Sequence, residues 1–97
     1  MTPIRVLVVD DHAVVRGGVV GWLAEQPDID VVGEAGDGQE ALAMVAALAP
    51  DVVLMDLRMP RMDGATATGR LATDHPGVRV LVLTTYDTDA DIVRAVE

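Results

Sequence analysis

Short, nearly continuous apolar runs alternate along the chain with longer stretches of helical period. Ile4 to Val9, Asp51 to Met55 and Val78 to Thr84 read as strands buried on both faces, as in a parallel sheet with helices on either side. Ile29 to Ala35 alternates polar and apolar positions and suits an edge strand. The intervening segments carry helix signals. Asp37 followed by Glu40 resembles a capping box, after which Ala41, Leu42, Val45, Leu48 and Ala49 share one face until Pro50 stops the run. An earlier helix, from about Ala13 to Glu25, is expected to bury Val15, Val19, Trp22 and Leu23. Gly17, Gly18 and Gly21 each weaken it by roughly 0.5 to 1 kcal/mol relative to alanine, so it needs tertiary support. A third helix starts near Asp63 and carries Leu71, and Thr88 and Asp91 open a fourth with Ile92, Val93 and Val96 as its apolar stripe. The predicted order is β-α-β-α-β-α-β-α, a single doubly wound α/β domain over residues 1–97.

Composition narrows the chemistry. With 97 residues, about half hydrophobic, the chain can bury one core without disulfides or a structural metal. It has no cysteine, which removes thiolate chemistry and permits a cytoplasmic location. Every apolar run is short and interrupted, so no membrane span or targeting segment is expected. The net charge of −9 repels phosphate backbones, which argues against direct nucleic-acid contact by this segment. All seven basic residues are arginine.

In an open parallel sheet, ligands bind outside the carboxyl ends of the strands, where the winding reverses. The first strand runs into Asp10 and Asp11, the third into Asp56, and the fourth into Thr84 and Thr85. If the first and third strands are neighbours, as in the flavodoxin-like order, three carboxylates converge. Two like charges about 4 Å apart repel by roughly 4 kcal/mol at an effective dielectric near 20, so a cation is the natural partner. Oxygen-only donors at an open site suit Mg²⁺, beside which Asp56 could act as a nucleophile toward a phosphoryl donor, with Thr84 as a hydroxyl donor. The plainer alternatives are that Asp10 and Asp11 cap the first helix, that Asp56 is a solvated turn carboxylate, and that Thr84 merely ends a strand. His12 is read as a polar residue at the helix start beside the acidic site, and His75 as a surface residue at a helix end.

The stretches VLVVDDHAVVR, PDVVLMDLRMPRMDG and VLVLTTYD together resemble the receiver domain of bacterial two-component response regulators, over essentially the whole chain. More narrowly, they are similar to the NarL/FixJ group, in which a receiver precedes a LuxR-type helix-turn-helix. The resemblance implies a flavodoxin-like fold of five strands and five helices, with Asp56 accepting a phosphoryl group from a sensor histidine kinase. It implies Mg²⁺ bound by Asp10, Asp11, Asp56 and the backbone carbonyl of Arg58, Thr84 as the switch hydroxyl, and the amide of Thr85 as a further donor to the phosphoryl group. Met59, Pro60, Asp63 and Gly64 match the turn after the acceptor, and Arg58 and Tyr86 match positions that tune dephosphorylation. Phosphorylation would then control dimerisation and DNA binding through a C-terminal domain outside this chain.

The departure from the family lies at the end. Receivers continue into a fifth strand bearing a lysine and then a fifth helix, whereas this chain stops at Glu97 and holds no lysine. The expectation is a truncated receiver with an exposed apolar fourth strand, destabilised or assembled into a homo-oligomer, with exchange of elements between protomers as one route. Mg²⁺ should bind weakly and phosphoryl transfer should be slow. The alternative is a phosphorylation-incompetent interaction or dimerisation module, for which no metal response is needed. An aspartyl phosphatase is disfavoured by Arg58, which stands where that chemistry wants a second carboxylate. A flavin or dinucleotide site is disfavoured by DDHAVV, the electrostatic opposite of a phosphate loop.

Overall fold

Valine and leucine concentrate in the strands because branched side chains pack well on a pleated surface, and here both faces of that surface are used. The computed structural model describes residues 2–56 and 64–83. Its elements are β1 (Ile4–Val9), α1 (Ala13–Ala24), β2 (Ile29–Ala35), α2 (Gly38–Leu48), β3 (Val52–Asp56), α3 (Gly64–Asp74) and β4 (Arg79–Leu83). The strands form one sheet in the order β2-β1-β3-β4, with every neighbouring pair parallel. This is the doubly wound, flavodoxin-like arrangement, with β1 beside β3 and β2 at an edge. The expected fourth helix falls outside the described residues.

Alternation along β1 and β3 divides the core in two. Leu7, Val9, Val53 and Met55 face α2 and α3, where they pack with Ala41, Val45, Ala67 and Leu71. Val6 and Val8 face the other way, against Leu23 of α1, with Val52 and Leu54 packed alongside. A bulge in β2 shifts its register, so that Val6 pairs with Val31 but Leu7 pairs with Gly33. A Cβ on Gly33 would lie 2.7 Å from Met44 Cε and 3.0 Å from Leu48 Cδ1, the ends of flexible side chains that would have to shift.

The helix starts and stops have local causes. Asp37, extended at φ −160°, accepts the Glu40 amide at 2.9 Å and so caps α2. At the far end the chain leaves α2 through Ala49 in the left-handed region at φ 49°, because the following Pro50 excludes helical continuation. Arg5 Nη1 takes the Ala49 carbonyl at 2.8 Å. Ala49 is therefore exposed instead of lying on the buried face with Ala41 and Val45.

The face of α1 is rotated from the expected one. Val19, Val20 and Leu23 meet the sheet, while Val15 is 40% and Trp22 64% exposed. Valines and glycines occur all around this helix, so its hydrophobic pattern selects no unique face. The third strand begins one residue later than expected, since Asp51 sits in a bend whose carboxylate accepts the Arg5 amide at 2.9 Å. It also extends to Asp56, which pairs in register with Leu83. Among the described residues, no helix is long and apolar enough to cross a membrane.

Candidate metal and phosphoacceptor site

The site is built by strand register. Val9 of β1 lies opposite Met55 of β3, so the residues that follow each, Asp10 and Asp56, emerge side by side at the carboxyl edge of the sheet. The Asp10 amide extends the ladder with β2 by donating to the Ala35 carbonyl at 3.0 Å. Both carboxylates are buried, Asp10 at 7% and Asp56 at 2% exposure, whereas Asp11 is exposed.

One ligand atom from each of Asp10, Asp11, His12 and Asp56 falls within 4.8 Å of the other three. An octahedral Mg²⁺ with bonds of about 2.1 Å spans about 4.2 Å between opposite ligands, so the cluster is of the right size for a metal that keeps some of its waters. The donor chemistry fits as well. Three carboxylates, two of them buried, supply hard anionic oxygens, and a buried carboxylate is costly unless a cation or hydrogen bonds compensate it.

His12 stands at the helix start beside the acidic site, as expected, and its ring joins the cluster. It does occupy the N-cap position of α1, yet its side chain caps nothing. Its Nδ1 instead lies 3.2 Å from Asp10 Oδ1 and 3.0 Å from Asp11 Oδ1. The hydrogen bond with Asp10, then the charge of Asp11, raise its pKa above the usual value; desolvation opposes this, and the charges of Asp10 and Asp56 add smaller contributions to the rise. The imidazole thus stands against the carboxylates of Asp10 and Asp11.

Asp10, not Asp11, is the acid tied to the helix start, its Oδ1 accepting the His12 amide at 2.8 Å. The residue that sequence reasoning missed is Arg16. Its Nη1 donates to the Asp10 carbonyl at 2.6 Å and its Nε to Glu34 Oε1 at 3.1 Å. A basic residue one turn after the acidic pair was the available signal, but nothing local in sequence places Glu34 beside it. His75 follows α3, its amide bonded to the Leu71 carbonyl at 2.8 Å, away from the acidic cluster. Gly64 begins α3. Arg58, Met59, Pro60, Asp63, Thr84, Thr85 and Tyr86 lie outside the described residues.

Comparison with known proteins agrees with this geometry. Residues 6–97 match the family model described as the response regulator receiver domain. The response regulator protein VraR of Staphylococcus saprophyticus is 46% identical over 95 residues, covering 98% of this chain and 46% of that protein. The chain thus spans about half the length of the curated relatives it matches. Among solved structures, the receiver domain of the response regulator NarL from Mycobacterium tuberculosis superposes with a TM-score of 0.85 at 41% identity, covering 99% of this chain and 77% of that one. A LuxR-family response regulator from Aurantimonas gives 0.83 at 33% identity, covering 98% and 68%. The cluster of Asp10, Asp11, His12 and Asp56 matches the Mg²⁺ site of receiver domains. Receiver chemistry is self-directed, confined to gaining and losing a phosphoryl group on the domain itself.

Proposed function

We propose, since this chain belongs to the response regulator receiver domain family, that Asp56 is its phosphoacceptor and a sensor histidine kinase its phosphoryl donor. Family membership implies such a kinase partner. A carboxylate oxygen of Asp56 attacks the phosphorus of a phosphohistidine; the O–P bond forms as the P–N bond breaks, and the electron pair returns to the imidazole, which takes up a proton. Bound Mg²⁺ supplies neutralisation of the charge on the phosphoryl oxygens. Asp10, Asp11, Asp56 and the Arg58 carbonyl hold that ion in this reading. The carboxyl edge of the sheet holds Asp56 beside Asp10 and Asp11, and the Thr84 hydroxyl and Thr85 amide donate to the phosphoryl oxygens in this reading.

The added charge of about −1.5 to −2 then biases the surface next to Thr84. In a cytoplasmic regulator of the NarL/FixJ group, that change controls dimerisation and DNA binding by an output domain outside this segment. The similarity to NarL and to a LuxR-family regulator supports the assignment to that group. Self-association is the second part of the proposal, supported by β4, which is the outer strand among the described residues and leaves Leu81 56% exposed. Sedimentation that returns only a monomer, with and without phosphorylation, counts against it.

The observation that carries the reading is the gathering of Asp10, Asp11, His12 and Asp56 ligand atoms within 4.8 Å around a buried Asp56. Incubation with acetyl phosphate and Mg²⁺, followed by intact mass spectrometry, should add one phosphoryl group. The label should be absent in Asp56→Asn and in the presence of a chelator. Labelling that persists in Asp56→Asn refutes the assignment. The second reading is an interaction module that is not phosphorylated. Mg²⁺ binding without any labelling of Asp56 would select that reading.

A further inference from the structure

We propose that Arg16 is a positioning residue for the acidic site, setting the angle between the Asp10 and Asp11 carboxylates. Arg16 lies in the first turn of α1, its amide bonded to the His12 carbonyl at 2.8 Å. Its side chain reaches back past the helix start to the tip of β1, where Nη1 meets the Asp10 carbonyl at 2.6 Å. That carbonyl belongs to the peptide unit joining Asp10 to Asp11. The unit is planar and rigid, so the contact restrains rotation of the one plane from which both carboxylate side chains depart.

The other anchors of Asp10 are already in place: its amide on the Ala35 carbonyl, and its Oδ1 under the His12 amide. Arg16 completes the set at the remaining backbone group, which lies past the last β1–β2 pair at Val9 and Ala35. The guanidinium is itself held, since Nε donates to Glu34 Oε1 at 3.1 Å on β2. A planar fork fixed at both ends transmits orientation, which a single flexible ammonium does not. The loop after β2 also lies against it, the Cβ position of Gly36 being 3.5 Å from Nη1.

Two effects of Arg16 on a bound cation have opposite sign, and this makes its role measurable. The positive guanidinium beside the acidic tip repels Mg²⁺, so removing its charge alone tightens binding. Releasing the Asp10–Asp11 peptide plane misorients two ligands and loosens it. The inference holds that the second effect wins. Groups that orient metal ligands from behind are worth about tenfold or more in affinity.

The inference rests on the cluster being a Mg²⁺ site, and the test separates the two. Mg²⁺ is titrated into the wild-type chain and into Arg16→Met, Arg16→Lys and Glu34→Gln, each well below its own melting temperature, with affinity read from the amide shifts of Asp10, Asp11 and Asp56. No response in wild type overturns the metal reading, and this inference with it. With wild type binding, Arg16→Met should lose about tenfold in affinity, and Arg16→Lys, which keeps the charge without the fork, should recover only part of that. Glu34→Gln, which loosens the far end of the fork, should give a smaller loss with little change in melting temperature. Affinity in Arg16→Met equal to or tighter than wild type overturns the inference, as does complete recovery in Arg16→Lys. If Arg16→Met does not fold, unchanged affinity in Glu34→Gln overturns it.

Discussion

Replacing Asp10 by asparagine should make the metal-free protein more stable while abolishing its response to Mg²⁺. The substitution keeps the shape of the side chain and an Oδ1 acceptor for the His12 amide, so it changes little but charge. Asp10 and Asp56 are both buried and present ligand atoms no more than 4.8 Å apart, and Asp11 lies equally close. At an effective dielectric of 20, a pair of unit charges at that separation repels by about 3.5 kcal/mol. Asp11 is screened by water, and His12 offsets part of the repulsion when protonated, so a net gain of about 1 to 2 kcal/mol is expected. For a domain of this size, each kcal/mol moves the melting temperature by about 4–8 °C. In wild type, Mg²⁺ at ten times its Kd should add about 1.4 kcal/mol. The assay is a pair of thermal melts, with chelator and with Mg²⁺, followed by circular dichroism. Wild type should rise on adding Mg²⁺; the variant should start higher and not move. A variant that melts at or below wild type in chelator and still gains with Mg²⁺ would show that these carboxylates neither strain the free protein nor hold the ion.

Three further outcomes follow from particular contacts. Gly33→Ala should cost no more than about 1 kcal/mol in urea titration, because the atoms its Cβ meets, Met44 Cε and Leu48 Cδ1, end flexible side chains that can shift; a loss of several kcal/mol would refute that relief. Asp37→Ala removes the cap on the Glu40 amide and should cost about 0.5–2 kcal/mol, with early amide exchange localised to the start of α2; uniform exchange would contradict it. In the metal-free protein the His12 ring should titrate above 6.5, since Asp10 and Asp11 favour its charged form. Its stabilising contribution is therefore complete below pH 6.5 and is lost as pH rises through the raised value. Imidazole proton shifts measure this directly; a metal-free midpoint at or below 6.5 refutes the pairing, and Mg²⁺ should lower the midpoint.

Much of this molecule is legible in its sequence because parallel strands announce themselves by continuous apolar runs. β1 and β2 fall where the runs of Ile4 to Val9 and Ile29 to Ala35 place them. The capping role of Asp37 is equally local, needing only Glu40 three residues on. The convergence of Asp10, Asp11 and Asp56 is readable one level up, since it follows from strand tips plus a single choice of strand order. What escapes is whatever depends on rotation or on long-range reach. The face of α1 is not encoded by contrast between apolar and polar positions, because Val14, Val15, Gly18, Gly21 and Trp22 line its outer side as apolar as the inner one. The bridging role of Arg16 escapes for a different reason: Glu34 comes beside Asp10 only when β1 and β2 pair.

The central claim is that the tips of β1 and β3 form one cation pocket, and locating a heavier surrogate ion tests it most directly. Crystals soaked in Mn²⁺ should show a single strong anomalous peak among the carboxylate oxygens of Asp10, Asp11 and Asp56. A peak elsewhere on the surface, or none between those three side chains at saturating Mn²⁺, would contradict the account.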